Sequence, residues 1–70
     1  MTQKERVYKY MQEFGSITQA EAFNVLGVYR LAARISDLRR DGVTIRSQQK
    51  AGKNRYGETV YFAEYSLIKD

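Results

Sequence analysis

The strongest constraint in this chain is a pattern that occurs twice: Thr-x-x-Glu, followed one helix length later by glycine. Thr2 and Glu5 precede Gly15, and Thr18 and Glu21 precede Gly27. In such a capping box the threonine hydroxyl accepts a backbone N–H of the first helical turn, and the glutamate reaches back to the threonine N–H. A glycine just past the end supplies the left-handed residue that closes a helix. The first helix is therefore read from about Thr2 to Phe14, with Val7, Tyr10, Met11 and Phe14 on one apolar face. The second runs from about Gln19 to Leu26, with Ala22, Phe23 and Leu26 inward. Ile17 is a lone apolar residue between the two helices, directly before Thr18.

A third helix is predicted from near Tyr29 to a stop before Gly42. Leu31, Ile35 and Leu38 recur at intervals of four and three and define its inner stripe, which Ala32 flanks. Arg30, Ala33, Arg34, Asp37 and Arg40 or Asp41 fall on the other side. Arg39 and Arg40 occupy the last turn, where the helix dipole favours positive charge.

Beyond Gly42 the period changes from helical to alternating. Val43 and Ile45 alternate with Thr44 and Arg46, which reads as a strand. Gln49 to Glu58 contains Gly52, Asn54, Gly57 and three basic residues and reads as a loop. Thr59 to Leu67 is a second strand, with Tyr61, Ala63, Tyr65 and Leu67 on one face and Val60, Phe62 and Glu64 on the other. The expected product is a hairpin with a long, flexible tip, which must pack on the helices because a two-stranded ribbon is marginal alone. Seventy residues form one domain, spanning 1–70, of class α+β: three helices followed by a two-stranded β-hairpin.

Composition narrows the function. The chain has no Cys and no His, which removes disulfides, thiolate metal sites, the commonest general base and the commonest metal ligand. No Ser-based nucleophile motif, Gly-rich phosphate loop or metal-ligand spacing occurs, so neither an enzyme nor a cofactor is expected. No apolar run reaches membrane-span length, and Met1-Thr2-Gln3-Lys4-Glu5-Arg6 is not a signal peptide. The expectation is a cytoplasmic protein with no membrane partner.

The net charge of +4 is unevenly distributed. Residues 1–27 are neutral. Residues 28–57 carry Arg30, Arg34, Arg39, Arg40, Arg46, Lys50, Lys53 and Arg55 against Asp37 and Asp41, a net +6, and residues 58–70 carry −2. A cationic stretch of this kind is the expected footprint of a phosphate-binding surface. The turn at Gly27 suits a helix-turn-helix connection, and a B-DNA major groove accepts a helix such as the third.

The run Ser16-Ile17-Thr18-x-x-Glu21-Ala22, then Leu26-Gly27, then Arg30-Leu31-Ala32-Ala33-Arg34-Ile35-Ser36-Asp37-Leu38-Arg39-x-x-Gly42-x-x-Ile45, resembles the small winged helix-turn-helix domains common in bacteriophages and mobile elements. A basic wing and a terminal Tyr65-Ser66-Leu67 complete the resemblance, which covers nearly the whole chain. It implies binding of double-stranded DNA by a transcriptional regulator, with the third helix in the major groove and the wing over an adjacent groove or the backbone.

Carried onto this sequence, the resemblance makes Tyr29, Arg30, Ala33, Arg34 and Asp37 the base-reading candidates, with Arg40 beside them. Arginine can donate two hydrogen bonds to guanine O6 and N7, and Arg30 and Arg34 are the favoured pair; the plainer alternative is that they contact phosphate or pair with Asp37 and Asp41. Ala33 permits close approach or touches a thymine methyl. Asp37 either accepts from a cytosine amino group or pairs within its own helix. Thr18 and Gln19 sit at a helix start whose amides can hold phosphate. Lys50, Lys53, Asn54, Arg55 and Tyr56 are the wing candidates; the plainer alternative is a solvated loop.

Tyr10, Phe14, Phe23, Tyr61 and Tyr65 are expected in or beside the core. Val60 and Phe62 either cover the first helix or stay exposed as a homodimer or protein-partner contact. Two other functions compete with the regulator: a protein-binding winged helix acting as an antirepressor or inhibitor, and an architectural, excisionase-like protein that bends DNA.

Overall fold

The computed structural model describes residues 1–68. Lys69 and Asp70, counted above in the acidic stretch 58–70, lie outside the described residues. The order is α1 (Gln3–Phe14), β1 (Ser16–Thr18), α2 (Gln19–Leu26), α3 (Leu31–Arg40), β2 (Ile45–Lys53) and β3 (Thr59–Leu67). Three helices and an antiparallel hairpin make the expected α+β architecture.

Both capping boxes form. Thr2 Oγ1 accepts from Glu5 N at 3.1 Å, and Glu5 Oε1 accepts from Thr2 N at 3.0 Å. Thr18 Oγ1 accepts from Glu21 N at 3.3 Å, and Glu21 Oε1 accepts from Thr18 N at 2.9 Å. Gly27 ends α2 at φ 69°, in the left-handed region where a side chain costs about 1–2 kcal/mol. Its N–H donates to Phe23 O, and Val28 N–H donates to Ala22 O, so the chain turns sharply into α3.

The core draws on nearly every element: Val7 and Met11 from α1, Ile17 from β1, Ala22 from α2, Leu31, Ile35 and Leu38 from α3, and Ile45 from β2. Val28, in the turn between α2 and α3, is also fully buried and pins that turn to the core. Arg6 Nη1 donates to Leu26 O at 3.0 Å and ties α1 to the carbonyl end of α2.

Five expectations need correction. First, α3 begins at Leu31 rather than near Tyr29, because Arg30 takes a non-helical conformation (φ −116°, ψ 69°). Second, the first hairpin strand begins at Ile45 rather than Val43. Third, Gln49–Lys53 is strand, not loop, because Thr59–Ala63 gives it a β-forming template to pair with, from Gln49↔Ala63 to Lys53↔Thr59. Gly52, read as a loop marker, is there for space: a Cβ at that position would lie 3.3 Å from the Phe62 ring.

Fourth, the ribbon is not two-stranded. Ser16–Thr18 pairs with Glu64–Ser66 in a sheet of order β1-β3-β2. Fifth, Phe14, Phe23 and Tyr61 are exposed, while Tyr10 and Tyr65 do pack against the core. Exposed Phe23 stacks edge-on against Tyr29, and Phe14 packs on Tyr10. The nine described core residues already fill the small interior, so these rings are left at its margin.

No helix among the described residues is long and apolar enough to cross a membrane.

Candidate nucleic-acid interface

The surface of interest begins with how α3 is held. Its N-cap, Arg30, contributes no side-chain cap. Gln19, at the start of α2, does the work from a distance: its Oε1 accepts from Leu31 N at 3.0 Å, and its Nε2 donates to Val28 O at 2.9 Å. One amide thus satisfies an orphan N–H of α3 and a carbonyl of the turn, fixing the angle between the two helices. Gln19 and Thr18, both phosphate candidates, have their side-chain acceptors committed to these bonds. An anion needs donors, and of those on Thr18 the N–H is already given to Glu21 while the hydroxyl hydrogen remains.

At about 100° per residue, Ala33 and Arg40 lie on the side of α3 opposite the buried stripe of Leu31, Ile35 and Leu38. Arg40 is prominent, with its side chain 78% exposed. Ala32 and Ser36 are also exposed. Tyr29 and Arg30 are exposed at the N-terminal end, and Arg30 has no ion-pair partner among the described residues.

Arg34 does not stand outward as the sequence suggested. It lies toward α1, half-buried, with Nη1 donating to Gln3 Oε1 at 3.3 Å. Its Nε is 3.1 Å from Asp37 Oδ2, but that N–H is not aligned for a hydrogen bond, so the contact is an ion pair only. Asp37 also lies 3.7 Å from Arg40 Nη1. Asp41 is taken by Lys4 of α1 at 2.6 Å. That contact raises the Lys4 pKa, first through the hydrogen bond and then through the charge of Asp41. Both acids of the basic stretch are therefore matched by cations.

At the wing, Asn54 is the organiser of the tip. Its Oδ1 accepts from Tyr56 N and Glu58 N at 2.9 and 3.0 Å, and its Nδ2 donates to Glu58 Oε1 at 3.1 Å. Gly57, at φ 77°, completes a tight turn. Lys53 Nζ donates to Thr59 Oγ1 at 2.8 Å, and Lys50 Nζ lies 3.8 Å from Glu64. Arg55 and Tyr56 project from the tip without a side-chain partner among the described residues, Tyr56 being 79% exposed.

Three further exposed residues adjoin these and were not named as individual DNA contacts from sequence: Ser36, Arg39 and Arg46. Ser36 sits three residues from Ala33 and four from Arg40, a helical-face relation that was there to be read. Arg39 Nη2 donates to Ile45 O at 3.0 Å, which brings it beside the strand that carries exposed Arg46. Only the tertiary link between α3 and β2 makes neighbours of those two.

Among the described residues no cluster of His, Cys, Asp or Glu could hold a metal ion.

Two helices joined by a sharp Gly27 turn, the second of them running into a basic hairpin, define a helix-turn-helix with a wing. The chain matches the family described as winged helix-turn-helix domain over residues 2–70, and it belongs to that family. No curated protein and no solved structure matches it.

Proposed function

We propose that this protein is a sequence-specific double-stranded DNA-binding protein and a transcriptional regulator, with α3 in the major groove and the wing on the backbone or minor groove. The observation that carries the reading is the pairing of acids around α3. Asp37 is held by Arg34 and Arg40, and Asp41 by Lys4, so neither of these two acids meets an incoming phosphate unmatched. Between Arg30 and Arg40 the outer side of α3 carries small residues, exposed Ala32 and Ser36 and half-buried Ala33, which let a helix approach base edges.

Arg30 is the first base-reading candidate, and Arg40, Tyr29 and Ala33 accompany it. Arg34 acts by bracing α3 on α1 as well as by any contact of its own, with Asp37 as its partner. Thr18 and Gln19 contact phosphate at the start of α2, Thr18 through its hydroxyl, since its backbone N–H is held by Glu21. Lys50, Lys53, Arg55 and Tyr56 contact the wing-side backbone, on a tip shaped by Asn54. The resemblance of the Ser16–Ile45 run supports a phage or mobile-element regulator. The exposure of Val60 and Phe62 supports a protein contact on the wing, either with a second copy or with another partner.

Selection of bound duplexes from a random pool, followed by titration at several salt concentrations, tests this. The expected result is an enriched motif and affinity that falls steeply with salt, about 0.9 in the log–log slope per phosphate neutralised. Absence of binding to any duplex at low ionic strength sinks it and leaves the protein-binding alternative. Strong bending of the selected duplex would instead favour the architectural role.

A further inference from the structure

Tyr29 is exposed, yet the chain around it is fixed on both sides. It stands between fully buried Val28 and Arg30, the N-cap of α3. Before it, Val28 N–H donates to Ala22 O at 2.9 Å, and Val28 O accepts from Gln19 Nε2 at 2.9 Å. After it, Leu31 is buried and its N–H donates to Gln19 Oε1 at 3.0 Å. The backbone of residues 29 and 30 is therefore tied at each end.

The ring is held as well. It meets Phe23 of α2 edge-on, with ring centroids 4.8 Å apart and planes at 68°, a favoured aromatic geometry. Gln19 and Phe23 lie four residues apart and share one face of α2. That one face sets both the backbone and the side chain at the entry to α3. Neither ring belongs to the core, since Tyr29 is 73% and Phe23 46% exposed. An aromatic side chain kept in water but already ordered loses little freedom on binding, which is the property of a contact residue.

The place of the ring says what it meets. It adjoins Arg30, at the leading end of α3. The floor of a major groove is lined with hydrogen-bonding groups, and the apolar group that a base pair shows there is the C5 methyl of thymine. We infer, resting on the DNA-binding reading with α3 in the major groove, that the Tyr29 ring packs on a thymine methyl beside the base pair read by Arg30. Phe23 is the positioning residue that holds the ring for it. The contact adds to the site a discrimination that hydrogen bonding from Arg30 does not supply.

Replacing thymine by uracil removes this methyl and leaves base pairing and backbone unchanged. The probe is the duplex selected from the random pool, with each thymine changed to uracil in turn, and fluorescence anisotropy reads affinity. The unaltered chain is expected to lose about fourfold at one position, the worth of one buried methyl at about 0.8 kcal/mol. Tyr29→Ala is expected to bind the thymine and uracil forms equally there, and Tyr29→Phe to keep the fourfold ratio. Phe23→Ala is expected to bring the ratio towards one, and Phe23→Tyr to keep it. A merely structural role for Phe23 would weaken both duplexes and leave their ratio as it was, which overturns its part.

A selected motif in which no uracil weakens binding overturns the inference. So does a uracil effect that survives Tyr29→Ala, or a Tyr29→Phe chain that loses the ratio as Tyr29→Ala does. In each of these the enriched motif leaves the DNA-binding reading standing, whereas absence of binding to any duplex overturns both. The comparison on the unaltered chain needs no variant, and Tyr29→Gln takes the place of Tyr29→Ala if that chain does not fold.

Discussion

Gln19 Oε1 accepts the N–H of Leu31 across the helix-turn-helix corner at 3.0 Å, so the first residue of α2 caps the first turn of α3. Loss of that cap is expected to destabilise the domain by about 1–2 kcal/mol. Urea or thermal unfolding of Gln19→Ala measures it. An unchanged midpoint would show that water replaces the amide without cost.

Arg30 and Arg34 lie four residues apart but should behave differently. Arg30→Ala is expected to relax preference at one base pair while leaving the unfolding midpoint in place. Arg34→Ala also breaks the contacts to Gln3 and Asp37, so it should lower stability by up to about 1 kcal/mol along with binding. Paired melting curves and selection experiments separate the two effects. If neither substitution alters the selected sequence, α3 is not the reading helix.

The wing is expected to contribute affinity rather than choice of sequence. Changing Lys50, Lys53 and Arg55 together to Gln should weaken binding to all duplexes alike. The salt slope should fall by about 2.7 if each cation neutralises one phosphate. Fluorescence anisotropy at several salt concentrations reads both quantities.

Ile17 is fully buried although β1 is only three residues long. Ile17→Ala is expected to cost about 2–5 kcal/mol through lost burial and the cavity left behind. For a domain of this size that is a large share of total stability. Denaturant titration would show it as a lower midpoint at an unchanged slope.

The pH response follows from two groups at the start of α1. Glu5 is held below the ordinary glutamate range by the Thr2 backbone N–H and then by the Thr2 side chain. Its stabilisation is therefore present above the unfolded-state pKa and is lost as pH falls through the depressed folded value. Lys4, raised by Asp41, has the opposite sign: its contribution is complete below the unfolded lysine pKa and is lost as pH rises through the folded one. The acid limb of a melting-temperature profile should flatten in Glu5→Gln, and the alkaline limb in Lys4→Gln.

Much of the fold was legible in the chain. Thr2 and Thr18 with their glutamates, and Gly15 and Gly27, act within a few residues of themselves, so they marked the helix ends directly. The stripe of Leu31, Ile35 and Leu38 gave the buried side of α3 for the same reason. The site was less legible. Arg34 was read as outward, although its spacing of three from Leu31 and four from Leu38 sets it beside the buried stripe; sequence could not show that Gln3 of α1 would be its partner. Arg39 and Arg46 came together only through the bond from Arg39 to Ile45 O. Asn54 was read as a wing contact, and in the structure its amide shapes the turn, a role sequence cannot tell apart because the same amide serves either purpose.

What the amino-acid order settled alone was local: caps, periods, the change from helix to strand, and the placing of positive charge in the middle of the chain. Those follow from hydrogen bonds and side-chain spacing within one or two turns. The tertiary structure decided everything that depends on partners distant in sequence. It recruited Ser16–Thr18 as a third strand against Glu64–Ser66, carried β2 on to Lys53 because Thr59 stood opposite, and gave α3 its cap from Gln19. A strand has no hydrogen-bonding partner within itself, so its extent and its open edge exist only once the chain has folded back.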